Sequence, residues 1–160
     1  MTHFEWVARQ GEATLDILYC GDDNMFEGLI ISILSLTKHA HEPLKIYIMT
    51  GHLRNKHRQF QALSDDHIDF LNDLAKQGNN RNAVIKIDMT EKFEAELPTA
   101  NINTLFTPYS MLRLYSDLVP QFSDRILYLD ADVVCRRPFE AFYHQALDNI
   151  DFLGVLDHYG

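Results

Sequence analysis

Apolar and polar positions along this chain follow two rhythms, one of period two and one near 3.6. Leu15 to Cys20 (LDILYC) is a short apolar run and predicts a first strand. Asn24 to Lys38 then sets Phe26, Leu29, Ile30, Ile33 and Leu34 at helical spacing, and His39 to Pro43 breaks the pattern. Leu44 to Gly51 alternates and predicts a second strand. Asn55 to Gln77 carries Phe60, Leu63, Ile68, Leu71 and Leu74 and predicts a mainly helical stretch, with a break left open at Ser64, Asp65 and Asp66. Ala83 to Asp88 predicts a third strand. Thr107 supplies an N-cap and Pro108 a first-turn residue for a helix that should stop before Pro120. Arg125 to Leu129 predicts a fourth strand and Phe152 to Leu156 a fifth.

Strands alternating with helices predict an α/β fold: a mostly parallel sheet with helices on both faces. The length of 160 residues suits a single domain spanning 1–160. In such sheets the ligand crevice lies beyond the carboxyl ends of the strands. Two polar clusters fall there: Asp22, Asp23 and Asn24 after the first strand, and Asp130 to Asp132 after the fourth.

Composition narrows the partners. Apolar content of 46% and charged content of 23% are ordinary for a soluble globular protein. A net charge of −9 argues against nucleic acid, whose binding relies on Lys and Arg. A phosphate-bearing ligand would need a metal or a well-placed cation. The N-terminal stretch lacks the pattern of a secretory signal, and the apolar run Leu29 to Leu36 is far shorter than the ~20 residues that span a bilayer. The expectation is a cytoplasmic protein, with work at the inner membrane surface left open for a longer parent. Cys20 and Cys135 fit neither a disulfide framework nor a zinc site and are expected as small buried residues in a reducing compartment.

The chemistry centres on Asp130 and Asp132. If strand geometry persists through Asp132, both carboxylates point to one side and repel unless a cation lies between them. Mg²⁺ or Mn²⁺ suits such oxygen ligands and shares them with substrate phosphates. The alternative is two solvated carboxylates at a turn. Asp22, Asp23 and Asn24 join a strand to a helix and could cap that helix or accept hydrogen bonds from a ribose or base. Arg113 sits in a mostly apolar helix, where it suits carboxylate or phosphate oxygens or simply snorkels over apolar neighbours. Arg136 and Arg137 read as a solvated turn before Pro138. The eight histidines are scattered, and neither a Gly-rich phosphate loop nor a Gly-x-Ser-x-Gly pattern occurs.

The segments LDILYCGDDNMFEGLIISILSL and PYSMLRLYSDLVPQFSDRILYLDADVVCRRPF resemble glycosyltransferase family 8, in order, from about Leu15 to Asp157. The resemblance implies a GT-A fold, a UDP-hexose donor such as UDP-glucose or UDP-galactose, Mn²⁺ (or Mg²⁺), and transfer with retention to a carbohydrate, lipid-linked or protein acceptor. Asp130 and Asp132 match the family's metal- and donor-binding Asp-x-Asp, with Ala131 between them grouped with the donor positions. Asp22 and Asn24 match nucleotide-contacting positions, with Asp23 between them. Arg113 matches an Arg that reaches towards the donor sugar and is the candidate catalytic residue. Asp88 falls where such proteins approach the nucleotide.

The resemblance also implies segments beyond Gly160, among them a His-x-x-Gly whose His completes the metal site; His158, in LDHYG, does not match it. On this expectation residues 1–160 form the donor-binding half of a GT-A domain with its C-terminal part missing. Transfer by that half alone is expected to be weak or absent, and its uncovered apolar surface to favour self-association. Two other readings stay open. DADVV also resembles the motif of haloacid-dehalogenase-type phosphatases, although there it usually ends the first strand. The chain could also be a non-catalytic nucleotide- or partner-binding module.

Overall fold

A computed structural model describes residues 14–54, 59–96 and 108–154. In chain order it contains β1 (Leu15–Cys20), a 3₁₀ turn (Asp23–Met25), α1 (Phe26–His39), β2 (Leu44–Thr50), β3 (Leu53–Arg54), β4 (Gln59–Phe60), α2 (Asp65–Gly78), β5 (Ala83–Asp88), α3 (Thr90–Glu96), a long 3₁₀ helix (Pro108–Leu118), β6 (Leu127–Tyr128) and α4 (Glu140–Tyr143). Four strands form one parallel sheet in the order β5-β2-β1-β6, and β3 and β4 pair antiparallel. This is the expected α/β architecture.

The central strands are apolar nearly throughout because both faces are covered. Period two sorts their side chains. Leu15, Ile17, Tyr19, Ile46 and Ile48 pack on one face against Leu29 and Ile33 of α1 and Ile68 and Leu71 of α2. Leu18, Tyr47 and Met49 pack on the other face against Tyr109 and Leu112 of the long 3₁₀ helix. That helix was expected from Pro108 to before Pro120, and it runs to Leu118. In 3₁₀ geometry residues three apart eclipse one another. Tyr109, Leu112 and Tyr115 therefore form one row on the sheet. Thr107, its expected cap, lies outside the described residues.

Four expectations need correction. Of the helix foreseen from Asn55 to Gln77, only Asp65 onward is helical among the described residues: Ser64 is the N-cap, its Oγ accepting the His67 N–H at 3.2 Å, and Phe60 belongs to β4. Residues 55–58 lie outside the described residues. The fourth strand is confined to Leu127 and Tyr128 and is only half-buried, because β6 pairs with β1 alone at the sheet edge. No strand forms at 152–154, where Phe152 is 81% exposed; Val155 and Leu156 lie outside the described residues. Cys20 and Cys135 are unpaired as expected but half-buried rather than buried. Among the described residues no helix is long and apolar enough to cross a membrane.

Candidate functional site

The strand order locates the crevice. From β1 the chain moves outward through β2 to β5, then returns to place β6 on the opposite side of β1. The order reverses between β1 and β6, and at such a point the loops leaving the two strands diverge and open a cleft. Both polar clusters leave the sheet there.

The first cluster follows β1. The Gly21 N–H is held by the Met49 carbonyl at 3.1 Å, so the chain stays aligned with β2 beyond Cys20. Asp22 is buried, and its Oδ2 accepts from Asn24 Nδ2 at 2.9 Å. Asp23 turns towards α2. Its Oδ1 accepts from the Ser64 N–H at 3.2 Å and lies 2.7 Å from His67 Nδ1, while the His67 ring stacks on Phe26 with centroids 3.7 Å apart. Asp22 and Asn24 are thus paired with each other, and Asp23 ties the β1–α1 turn to the start of α2.

The second cluster follows β6. Strand pairing carries one residue past Tyr128, through the Leu129 N–H to the Leu18 carbonyl at 2.9 Å, and then stops. The Val133 N–H bonds the Asp130 carbonyl at 3.1 Å, closing a turn over Asp130–Val133. The expectation that strand alternation orients Asp132 with Asp130 is therefore corrected: a turn, not a strand, sets Asp132. Both carboxylates are exposed. Helix α1 braces this turn. A Cβ placed on Gly28 would come within 2.9 Å of the Ala131 carbonyl oxygen, and Ser35 Oγ accepts the Cys135 N–H at 2.8 Å.

Arg113, on the long 3₁₀ helix, reaches the same edge. Its Nη1 donates to the Tyr128 hydroxyl oxygen at 3.4 Å, and its Cζ stands 5.2 Å from the Tyr128 ring centroid. The Tyr128 hydroxyl donates to Asp130 Oδ1 at 2.5 Å. Burial, reinforced by the hydrogen bond to Asp130 and by its charge, holds the Tyr128 phenol above its ordinary range, so it stays a donor. Cys20 lies beside this group. Burial pushes its thiol up to about 12, with the Arg113 charge opposing and the Asp130 charge adding.

Asp88 ends β5 and ties it to the first residue of α3, accepting from the Thr90 N–H at 2.9 Å and hydroxyl at 2.6 Å. Arg136 and Arg137 are exposed. Among the described residues no three His, Cys, Asp or Glu side chains gather into a metal cluster. Asp130 and Asp132 offer hard, solvent-facing oxygens, a donor set that fits a Mg²⁺- or Mn²⁺-like ion completing its shell with water and phosphate.

Three residues here escaped the sequence reading. Tyr128 had a usable signal, since it stands two residues before Asp130 and alternation puts both on one side. Gly28 had another: a glycine in the first turns of a helix costs stability unless a close approach requires it. His67 had none, because its partners Asp23 and Phe26 are distant in sequence.

Comparison with known proteins places these observations. The family model described as glycosyl transferase family 8 matches residues 16–160. Two solved structures align with a TM-score of 0.63 at 20% identity, covering 83% of this chain and 43% of theirs. One is an active-site mutant of LgtC; the other is the galactosyltransferase LgtC in complex with donor and acceptor sugar analogs. The chain thus spans less than half the length of these structures. A comparison with curated protein sequences gave no match.

Proposed function

Since the chain belongs to glycosyltransferase family 8, we propose that it is the donor-binding part of a metal-dependent hexosyltransferase that uses a UDP-sugar and retains the anomeric configuration. The observation that carries this reading is that the Asp22–Asn24 and Asp130–Asp132 segments leave the same ends of the adjacent parallel strands β1 and β6, at the strand-order reversal. The likeness to a galactosyltransferase solved with donor and acceptor sugar analogs supports a sugar nucleotide as donor and a carbohydrate as acceptor.

In this reading Asp22 and Asn24 accept hydrogen bonds from the base or ribose, with Asp23 anchoring their turn on α2. Asp130 and Asp132 hold a divalent ion, Mn²⁺ or Mg²⁺, with the Ala131 backbone between them shaping the donor cradle. Bound there, the ion supplies the positive charge that an acidic chain otherwise lacks for a diphosphate and its departure. Arg113 faces the same cradle and adds a fixed cation on the sugar side, where its planar guanidinium can meet sugar hydroxyls or phosphate oxygens. Transfer is assigned to the cytoplasm, with a UDP-hexose, glucose or galactose, as donor.

The test is calorimetry of UDP with and without Mn²⁺ on wild type and Asp130→Ala. The expected result is UDP binding that requires Mn²⁺ and is lost in the variant. Binding that needs no metal and survives Asp130→Ala would overturn the reading. Turnover of a phosphate ester with Mg²⁺ and no sugar nucleotide would favour the phosphatase alternative instead.

A further inference from the structure

We propose that Tyr128 is a positioning residue that holds both sides of the donor cradle at once: its hydroxyl fixes the Asp130 carboxylate and its ring carries the Arg113 guanidinium. The inference rests on the donor-site reading above.

Three observations converge on it. Tyr128 ends β6 in register with Leu18, one of the most deeply buried residues of the sheet, so its backbone is fixed. Its ring packs on the apolar face that includes Leu112, the residue before Arg113. Its hydroxyl oxygen lies between two groups of opposite charge, accepting from Arg113 at 3.4 Å and donating to Asp130 at 2.5 Å. A phenol can do both, since it has one proton to give and lone pairs to receive.

The consequence for Asp130 is specific. A carboxylate has two oxygens and about four acceptor sites. The tyrosine takes one on Oδ1, which leaves Oδ2 and a remaining lone pair of Oδ1 for a cation. On an exposed turn a free carboxylate rotates, and ordering it costs conformational entropy when an ion binds. The hydroxyl makes that arrangement in advance. Partners that orient a metal's ligands in this way commonly set 10–100-fold in affinity. For Arg113 the ring gives a platform at 5.2 Å, within the range of a cation–π contact. One side chain on the rigid sheet thereby sets the spacing between the cation-side carboxylate and the sugar-side guanidinium.

The test uses the full chain and two variants. Tyr128→Phe keeps the ring and removes the hydroxyl; Tyr128→Leu removes both. Free Mn²⁺ is counted by electron paramagnetic resonance during titration, thermal midpoints are measured without ligand, and the Arg113 side chain is followed by NMR in metal-free buffer. Tyr128→Phe is expected to melt close to wild type and to weaken Mn²⁺ by about tenfold. The Arg113 ring-current shift should persist in Tyr128→Phe and vanish in Tyr128→Leu. A Tyr128→Phe variant that binds Mn²⁺ as wild type does overturns this proposal alone. So does an Arg113 shift in wild type that matches Tyr128→Leu. A wild-type chain that binds no Mn²⁺ overturns the donor-site reading and this inference together.

Discussion

Gly28 in the second half-turn of α1 and Ala131 in the Asp-x-Asp turn are in backbone contact: a Cβ on Gly28 would lie 2.9 Å from the Ala131 carbonyl oxygen. The helix that begins beside the first polar cluster therefore also supports the second. Because the opposing atom belongs to a peptide group, it cannot rotate aside as a side chain would.

Gly28→Ala sets two effects against each other. Helix propensity alone favours Ala by about 1 kcal/mol. Overlap with the turn costs ~1–3 kcal/mol and pushes Ala131 outward, carrying its flanking carboxylates with it. The expected variant melts no higher than wild type and binds UDP with Mn²⁺ more weakly. Differential scanning calorimetry with a UDP titration checks both; a higher midpoint with unchanged binding would show that the contact does not shape the site.

Asp23 and its neighbours Asp22 and Asn24 are separable by mutation. Asp23 Oδ1 is occupied by the Ser64 N–H and by His67; Ser64 is exposed and His67 only partly buried. Asp23→Ala should cost about 1 kcal/mol, as loss of a helix-start contact or exposed ion pair does. UDP affinity should fall less than in Asp22→Ala. Urea unfolding and calorimetry decide it; a loss of UDP binding with unchanged stability would give Asp23 a direct contact with the ligand.

The inner strands and α1 were legible because burial on both faces writes a nearly continuous apolar run, and burial on one face writes a helical one. Leu15–Cys20, Ala83–Asp88 and the end of the long helix before Pro120 all stand as read. The shortness of β6 was not legible: Ile126 and Leu129 are as apolar as an inner strand, yet the ladder with β1 covers only Leu127 and Tyr128, whereas β5 at the other edge pairs with β2 from Ala83 to Asp88. The turn at Asp130–Val133 was hidden because nothing in the apolar run marks where pairing with β1 stops. Acidic residues at strand ends marked the candidate site, whereas Gly28, His67 and the Arg113 contact of Tyr128 depend on partners brought near only by the fold. Local spacing constrains residues a few positions apart and carries little about pairs such as Gly28 and Ala131.

Acid should loosen two specific contacts. Burial pushes the Asp88 carboxyl up, but the hydrogen bonds from the Thr90 hydroxyl and N–H and the nearby Lys86 and His52 charges outweigh it, leaving Asp88 below its ordinary 3.8. Glu140 is likewise held below 4.5: burial raises it, and the His41 N–H, its own N–H and the His41 ring lower it. A depressed folded value means that the unfolded chain takes up the proton first as pH falls. The stabilisation is therefore complete above these ordinary values and lost as pH drops through the lower folded ones. Asp88→Asn and Glu140→Gln should each flatten the acid limb of a stability–pH curve measured by urea unfolding. An unchanged acid limb in both would mean that neither contact is formed in solution.

Arg113 should discriminate the sugar from the nucleotide. Its guanidinium is exposed and stands on the Tyr128 ring, whose hydroxyl bonds Asp130, whereas the Asp22–Asn24 pair lies at the end of β1. UDP lacks the hexose, so in the proposed reading it gains little from a cation on the sugar side. Arg113→Ala should leave Mn²⁺-dependent UDP binding largely intact and remove the added affinity of a UDP-hexose over UDP. Arg113→Lys should do nearly the same, because an ammonium keeps the charge but has neither the plane that stacks on Tyr128 nor the fork that meets paired oxygens. Paired titrations of UDP and UDP-glucose or UDP-galactose measure the difference directly. A parallel fall in both affinities would place the guanidinium on the diphosphate, and full rescue by lysine would reduce its part to charge alone.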